Sequence, residues 1–162
     1  MKISIVILNW NRPHDTIAAV ASVLQQDYSS CEILIWDNAS TDNSNDILSE
    51  HFGQHPNVTL FFADQNYGVA GGRNRAFRQT TGNIIFSLDS DAIIEQKDAL
   101  SKIADCFNKD PSIGALSFEV KRPDGHLMWP FSRPASKWRH RAFETIRVDG
   151  CAFAVRRNVF EQ

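Results

Sequence analysis

Apolar residues along this chain fall into two alternating rhythms. Ile3-Ser4-Ile5-Val6-Ile7-Leu8 is a near-continuous apolar run within Lys2–Trp10. Such a run suits a strand covered on both faces, as in a parallel sheet. Pro13 then sits where a first helical turn accepts proline, and Ile17, Val20, Val23 and Leu24 recur at helical spacing, which predicts a helix over 13–26 with those four residues inward. Glu32–Trp36 predicts a second strand. Residues 43–52 predict a helix with Ile47, Leu48 and Phe52 inward, and Val58–Ala63 a third strand. Gly68–Thr80 reads as a helix opened by glycine and Asn83–Leu88 as a fourth strand. Residues 96–109 read as a helix with Leu100, Ile103, Ala104 and Phe107 on one face, and Ala115–Val120 as a further strand. Arg122-Pro123-Asp124-Gly125 has the composition of a tight turn. Residues 126–146 show no clean period, and Arg147–Arg156 reads as a last strand interrupted at Gly150.

Strands alternating with helices argue an α/β fold with an open, mostly parallel sheet flanked by helices. In such sheets the ligand crevice opens at the carboxyl ends of the strands. The polar clusters after strands one, two and four fall on that edge, together with the glycine-rich turn after strand three. A chain of 162 residues fits one domain, with 1–120 as its α/β body and 121–162 as the start of a further region.

Composition narrows the picture. Hydrophobic residues make up 43% and charged residues 22%, as in an ordinary folded protein. Cys31, Cys106 and Cys151 show neither disulfide nor metal-ligand spacing, and read as core or near-core thiols of a reducing compartment. No apolar run approaches the length of a membrane span, and Ile3–Leu8 is too short for a secretion signal, so a cytoplasmic location is expected. The net charge of −2 is uneven: 121–147 holds seven Lys or Arg against Asp124 and Glu144. A basic, aromatic segment on an acidic body suggests a surface for an anionic partner. With the body acidic and no recognition motif present, nucleic acid is not the expected partner.

The sharpest chemical signal is Ser87-Leu88-Asp89-Ser90-Asp91 at the end of the fourth strand. In extended backbone, positions i and i+2 face the same side, so Asp89 and Asp91 would converge. Two close carboxylates are unfavourable without a cation or donors. Mg²⁺ or Mn²⁺ is the natural partner, bridging carboxylates to substrate phosphates. The plain alternative is a polar turn. Gly68, Gly71 and Gly72 do not match the dinucleotide fingerprint, which discounts a nicotinamide cofactor.

The ordered set Leu8-Asn9-Trp10-Asn11-Arg12-Pro13, Asp37-Asn38-Ala39-Ser40-Thr41-Asp42, Asn66-Tyr67-Gly68-Val69-Ala70-Gly71-Gly72-Arg73-Asn74 and Asp89-Ser90-Asp91 resembles the family 2 glycosyltransferases of the GT-A fold. Each motif is weak singly, and their order is what carries the likeness. The resemblance implies inverting, metal-dependent transfer of a sugar from a UDP- or dTDP-sugar to a hydroxyl of a glycan or lipid-linked acceptor. It implies Asn9, Trp10, Asp37, Gly68, Arg73, Asp89 and Ser90 as substrate-binding residues. Asp91, supported by Asp89, would hold the metal. Trp10 would stack on the base, with a core tryptophan as the alternative. Asp37 would accept from the N3–H edge of uracil or thymine, with a helix cap as the alternative. Arg73 would face the diphosphate, with a solvated face as the alternative.

Inversion also needs a general base. In relatives it follows a glycine-containing strand and a basic pair, here Gly150 to Arg157, so it is expected beyond Gln162, with Asp149 and Glu144 as weak substitutes. The segment 129–141, rich in aromatic and basic residues, lies where relatives build the acceptor side. It reads as acceptor binding, with peripheral contact at the inner face of the membrane, or as a surface loop. Two rivals remain: a nucleotide-sugar-binding module without catalysis, and a nucleotidyltransferase. The latter needs a glycine-rich loop after strand one, where Asn9–Pro13 has no glycine.

Overall fold

The computed structural model describes residues 1–128, 148 and 150–162. Six strands form one sheet: β1 (Ile3–Asn9), β2 (Cys31–Asp37), β3 (Val58–Phe62), β4 (Ile84–Asp89), β5 (Ala115–Ser117) and β6 (Ala152–Arg156). Their order across the sheet is β3-β2-β1-β4-β6-β5. β1 pairs in parallel with β2 and β4, and β2 with β3. β6 runs antiparallel between β4 and β5. The sheet therefore takes strands from both 1–120 and 121–162.

Helices α1 (Pro13–Leu24), α2 (Ser44–Phe52), α3 (Gly68–Arg78), α4 (Ala99–Lys109) and the short α5 (Arg157–Phe160) complete the described elements. Two apolar layers sandwich the sheet, which is why its central strands need no polar face. One layer joins Ile3, Ile5 and Ile7 to Val20, Leu48, Leu100, Ile103 and Phe107. The other joins Val6, Leu34, Trp36 and Ile85 to Ala76 and Phe77 of α3.

Most expected inward faces are buried, α4 completely so. In α1, Ile17 is only half-buried and Leu24 is exposed. The buried stripe there is Pro13, Thr16, Ala19, Val20, Ser22 and Val23, and Leu24 falls on the solvent side one residue beyond it. α4 begins at Ala99 because the carbonyls of Gln96 and Lys97 are taken by turn and inter-loop bonds, from the amides of Ala99 and Asp27. β5 ends at Ser117. Beyond it the chain enters a hairpin, with Lys121 bridging Leu127 and the Gly125 amide closing the expected turn on the Arg122 carbonyl at 2.8 Å. All three cysteines are half-buried. Among the described residues, no helix is long and apolar enough to cross a membrane.

Candidate functional site

Sheet register assembles the site. Asn9, the last residue of β1, lies opposite Asp37, the last of β2, and Leu8 lies opposite Asp89 at the end of β4. β1 is where the chain turns outward in both directions, to β2 on one side and β4 on the other. The crevice of an open sheet forms at such a switch. The loops leaving β1, β2 and β4 and the start of α3 meet there.

Asn9 is 0% exposed and Asp37 1% exposed. Asn9 Nδ2 donates to Asp37 Oδ1 at 2.6 Å and to Ser40 Oγ at 3.1 Å, while Asn9 Oδ1 accepts from Thr16 Oγ1 at 2.8 Å. Asp37 also accepts from the Ser40 amide at 2.9 Å and the Ser40 hydroxyl at 2.6 Å. Both side chains are thus engaged inside the loop. Asp42, rather than Asp37, serves the start of α2, accepting from the Ser44 amide at 2.9 Å.

Two further amides tie the rim together, and residue-type patterns did not single them out. Asn11 and Ala39 hold left-handed backbone, with φ of 55° and 58°. Asparagine tolerates that region because its side chain bonds locally. Asn11 Oδ1 accepts from the Thr41 amide at 2.8 Å, clipping the β1 loop to the β2 loop. Asn38 Nδ2 donates to Asn66 Oδ1 at 2.8 Å, and Asn38 Oδ1 accepts from the Tyr67 amide at 3.1 Å. Gly68 opens α3 at φ 68°, a conformation that favours glycine. The signal for these roles was present as asparagines repeated after β1, β2 and β3, but their partners lie about thirty residues away.

The acidic pair departs from the expected extended geometry. β4 ends at Asp89, and the Asp89 carbonyl accepts from the Ala92 amide at 3.1 Å. Ser90 and Asp91 therefore lie in a turn, and the alternation argument for Asp91 does not apply there. Each carboxylate faces its own guanidinium. Arg73 Nη2 donates to Asp89 Oδ1 and, at 2.8 Å, to the Gly150 carbonyl. Arg12 Nη1 donates to Asp91 Oδ2 at 2.8 Å. Arg73 Nε is buried without a partner, and its guanidinium carbon lies 5.7 Å from the Phe153 ring centroid. Trp10 is 53% exposed beside this rim, which removes the core role.

Among the described residues no group of three or more His, Cys, Asp or Glu converges. Two carboxylates, each already facing a positive group, suit an ion of the Mg²⁺ class, which commonly takes one or two carboxylates and fills its other positions with phosphate and water. Asp149, Glu144 and the segment 129–141 lie outside the described residues. A separate concavity of about 440 Å³ lies between β3 and α3, lined by Trp36, Phe61 and Tyr67 among others. Asp64, just past β3, lines it, whereas Asp37, Asp89 and Asp91 do not.

The chain is similar to known proteins in sequence and in fold. A chondroitin synthase of Escherichia coli is 36% identical over 114 residues, 70% of this chain and 16% of its own length. A mannosyltransferase from Pyrobaculum calidifontis, in complex with GDP-Man and Mn²⁺, matches with a TM-score of 0.80 at 26% identity, over 99% of this chain and 46% of its own. TarS of S. aureus, in complex with UDP-GlcNAc, matches with a TM-score of 0.70 at 27% identity, over 82% of this chain and 38% of its own. The chain thus spans less than half the length of each. These likenesses bear out the GT-A type of fold. The family model for glycosyl transferase family 2 matches residues 4–162, and the chain belongs to that family.

Proposed function

We propose that this domain binds a nucleotide sugar through Mg²⁺ or Mn²⁺ at the end of β4 and transfers the sugar, with inversion, to a hydroxyl of a glycan or lipid-linked acceptor. The observation that carries the reading is the register that sets the ends of β1, β2 and β4 side by side at one switch point, with Asp89 and Asp91 following β4. Asp91 and Asp89 would hold the ion, which supplies charge neutralisation for the departing diphosphate. Trp10 is free to offer its ring to a base. Gly68 leaves backbone open for close approach, and Ser90 lies between the two aspartates.

Asp37 reaches a base only if Ser40 yields, because it is 1% exposed and Ser40 covers both of its oxygens. Its contribution is then chiefly to fix the loop shape. Arg73 would serve the diphosphate after exchanging Asp89 for it. The neighbours bind different bases, GDP-Man in one and UDP-GlcNAc in the other. Accordingly UDP and dTDP, the expected carriers, are to be tested beside GDP. Residues 1–120 supply the donor half in this reading and 121–162 begin the acceptor half, with the general base supplied from beyond Gln162.

Calorimetric titration with each diphosphate and Mn²⁺ tests the binding step. A saturable heat below millimolar ligand is expected for UDP or dTDP. Asp91→Asn should weaken it at least about tenfold, since even the outer partners of metal ligands contribute that much. No saturable heat with any of the three nucleotides would remove the reading. Binding without transfer to any acceptor, by a chain extended past Gln162, would favour the donor-binding module instead.

A further inference from the structure

Arg12 and Asp91 reach the rim from different loops. Arg12 precedes α1 and Asp91 follows β4, and their side chains meet at 2.8 Å. The backbone under Arg12 is fixed on both sides. Asn11 is clipped to the β2 loop through Thr41. Pro13 is buried in the first turn of α1, and the Arg12 carbonyl accepts from the Thr16 amide at 3.0 Å. The side chain itself is 55% exposed, and Asp91 is 54% exposed. A second acid, Asp15, lies 3.9 Å from the same Arg12 nitrogen. Arg12 is therefore an exposed cation on a hydrogen-bonded backbone, with one anion in hand and another in reach.

A divalent ion and a guanidinium cannot share Asp91 Oδ2 at full strength. The ion needs the oxygen lone pair at about 2.0–2.2 Å, and the two positive charges repel. We propose that Arg12 is a positioning residue that holds Asp91 in place of the metal and competes with it. The inference rests on the reading of Asp91 as a metal ligand given above. Its consequence is that metal alone binds weakly: at Asp91 Oδ2 it must displace Arg12, and at Oδ1 it meets the guanidinium charge across the same carboxylate. A diphosphate arriving with the ion offers the guanidinium another anion, so metal and nucleotide strengthen each other's binding, as linkage requires.

The test is Mn²⁺ binding by the full 162-residue chain, read from the paramagnetic resonance signal of free Mn²⁺ with no nucleotide present. Arg12→Gln is expected to tighten Mn²⁺ about two- to fivefold, the range that an exposed ion pair contributes. Arg12→Lys keeps the charge and should restore the wild-type value. Arg75→Gln removes an exposed arginine that stacks on Tyr67 and should change nothing. Circular dichroism checks that each variant is folded. Equal Mn²⁺ affinity in wild type and Arg12→Gln would overturn the proposal. So would an equal gain in Arg75→Gln, which would mean bulk charge, or no Mn²⁺ binding to either protein. Adding UDP, dTDP or GDP separates the two readings: if none affects Mn²⁺ binding the nucleotide-sugar function falls, while the metal-only comparison still decides the role of Arg12.

Discussion

Asp37 carries a carboxylate into a place that is 1% exposed, and it is tolerated because three donors face it. A buried charge without such partners would be strongly unfavourable. Asp37→Asn keeps the shape and loses one acceptor. Its amide would then point at the Asn9 amide or at the Ser40 donors. The expected cost is about 1–3 kcal/mol, the penalty for a buried donor left unpaired. Urea unfolding followed by circular dichroism measures it, and a change within error would mean that Ser40 and Asn9 reorganise freely. The type of residue at position 37 was legible in the sequence, as was its place at a strand end. Its burial was not, because that depends on Asn9 and Ser40 closing over it. The same holds for Arg12 and Arg73. Their charges could be read, but pairing with Asp91 and Asp89 required segments 79 and 16 residues apart to meet.

α3 shows the element scale. It begins at the rim and carries Arg73 toward β4, so its distance from the sheet sets where that guanidinium lies. Gly72 makes the close approach possible. A Cβ there would stand 2.8 Å from Leu8 Cδ1 and 3.1 Å from Asn38 Oδ1. Leu8 can rotate its methyl group away. The Asn38 amide has less freedom, since it is bonded to Asn66, Gly68 and Tyr67. Gly72→Val should therefore destabilise the domain by about 1–3 kcal/mol, the usual cost of overpacking. It should also weaken nucleotide binding by displacing the start of α3. Thermal unfolding and the Mn²⁺–nucleotide titration read the two effects, and unchanged values in both would show that α3 shifts without consequence. Periodicity located α3, with the helix ending at Arg78 rather than Thr80. Periodicity shows which residues are apolar, but it cannot show how near the helix packs.

Over the whole molecule, the opposite edge of the sheet is held by Glu32. Its carboxylate accepts from Lys2, from Ser4 Oγ at 2.6 Å and from the Thr81 amide at 2.7 Å, joining β1, β2 and the approach to β4. Burial pushes its pKa up, but the bonds from Lys2, Ser4 and Thr81 outweigh that and bring it to about 2 from 4.5. A carboxyl whose folded pKa is depressed stabilises the fold above its unfolded pKa. That contribution is lost as pH falls from about 4.5 toward 2. Glu32→Gln should flatten acid unfolding over that window and lower stability at pH 7 by about 1–3 kcal/mol. Unfolding midpoints at pH 7, 4.5 and 3 test it, and parallel pH curves for the two proteins would refute the assignment.

Most of the local order here follows from neighbours in the chain. Strand and helix alternate because apolar spacing alternates. Polar clusters at the strand ends mark the rim because turns need such residues wherever they occur. Contacts between residues far apart in sequence are different in kind. That β6 enters the sheet antiparallel beside β4 depends on pairing across more than sixty residues, and so does the Gly150 carbonyl that receives Arg73. Asp91 leaves the strand for a turn, and each aspartate takes an arginine from another element. The sequence by itself determined the elements from β1 to α4, their order along the chain and the edge on which the polar clusters fall, since these depend on short-range period and turn chemistry; the four-residue α5 is too short to show a period. Only the tertiary structure decided which polar groups are sealed inside that edge and which remain open to a ligand, because burial and charge pairing are set by register and packing between distant segments.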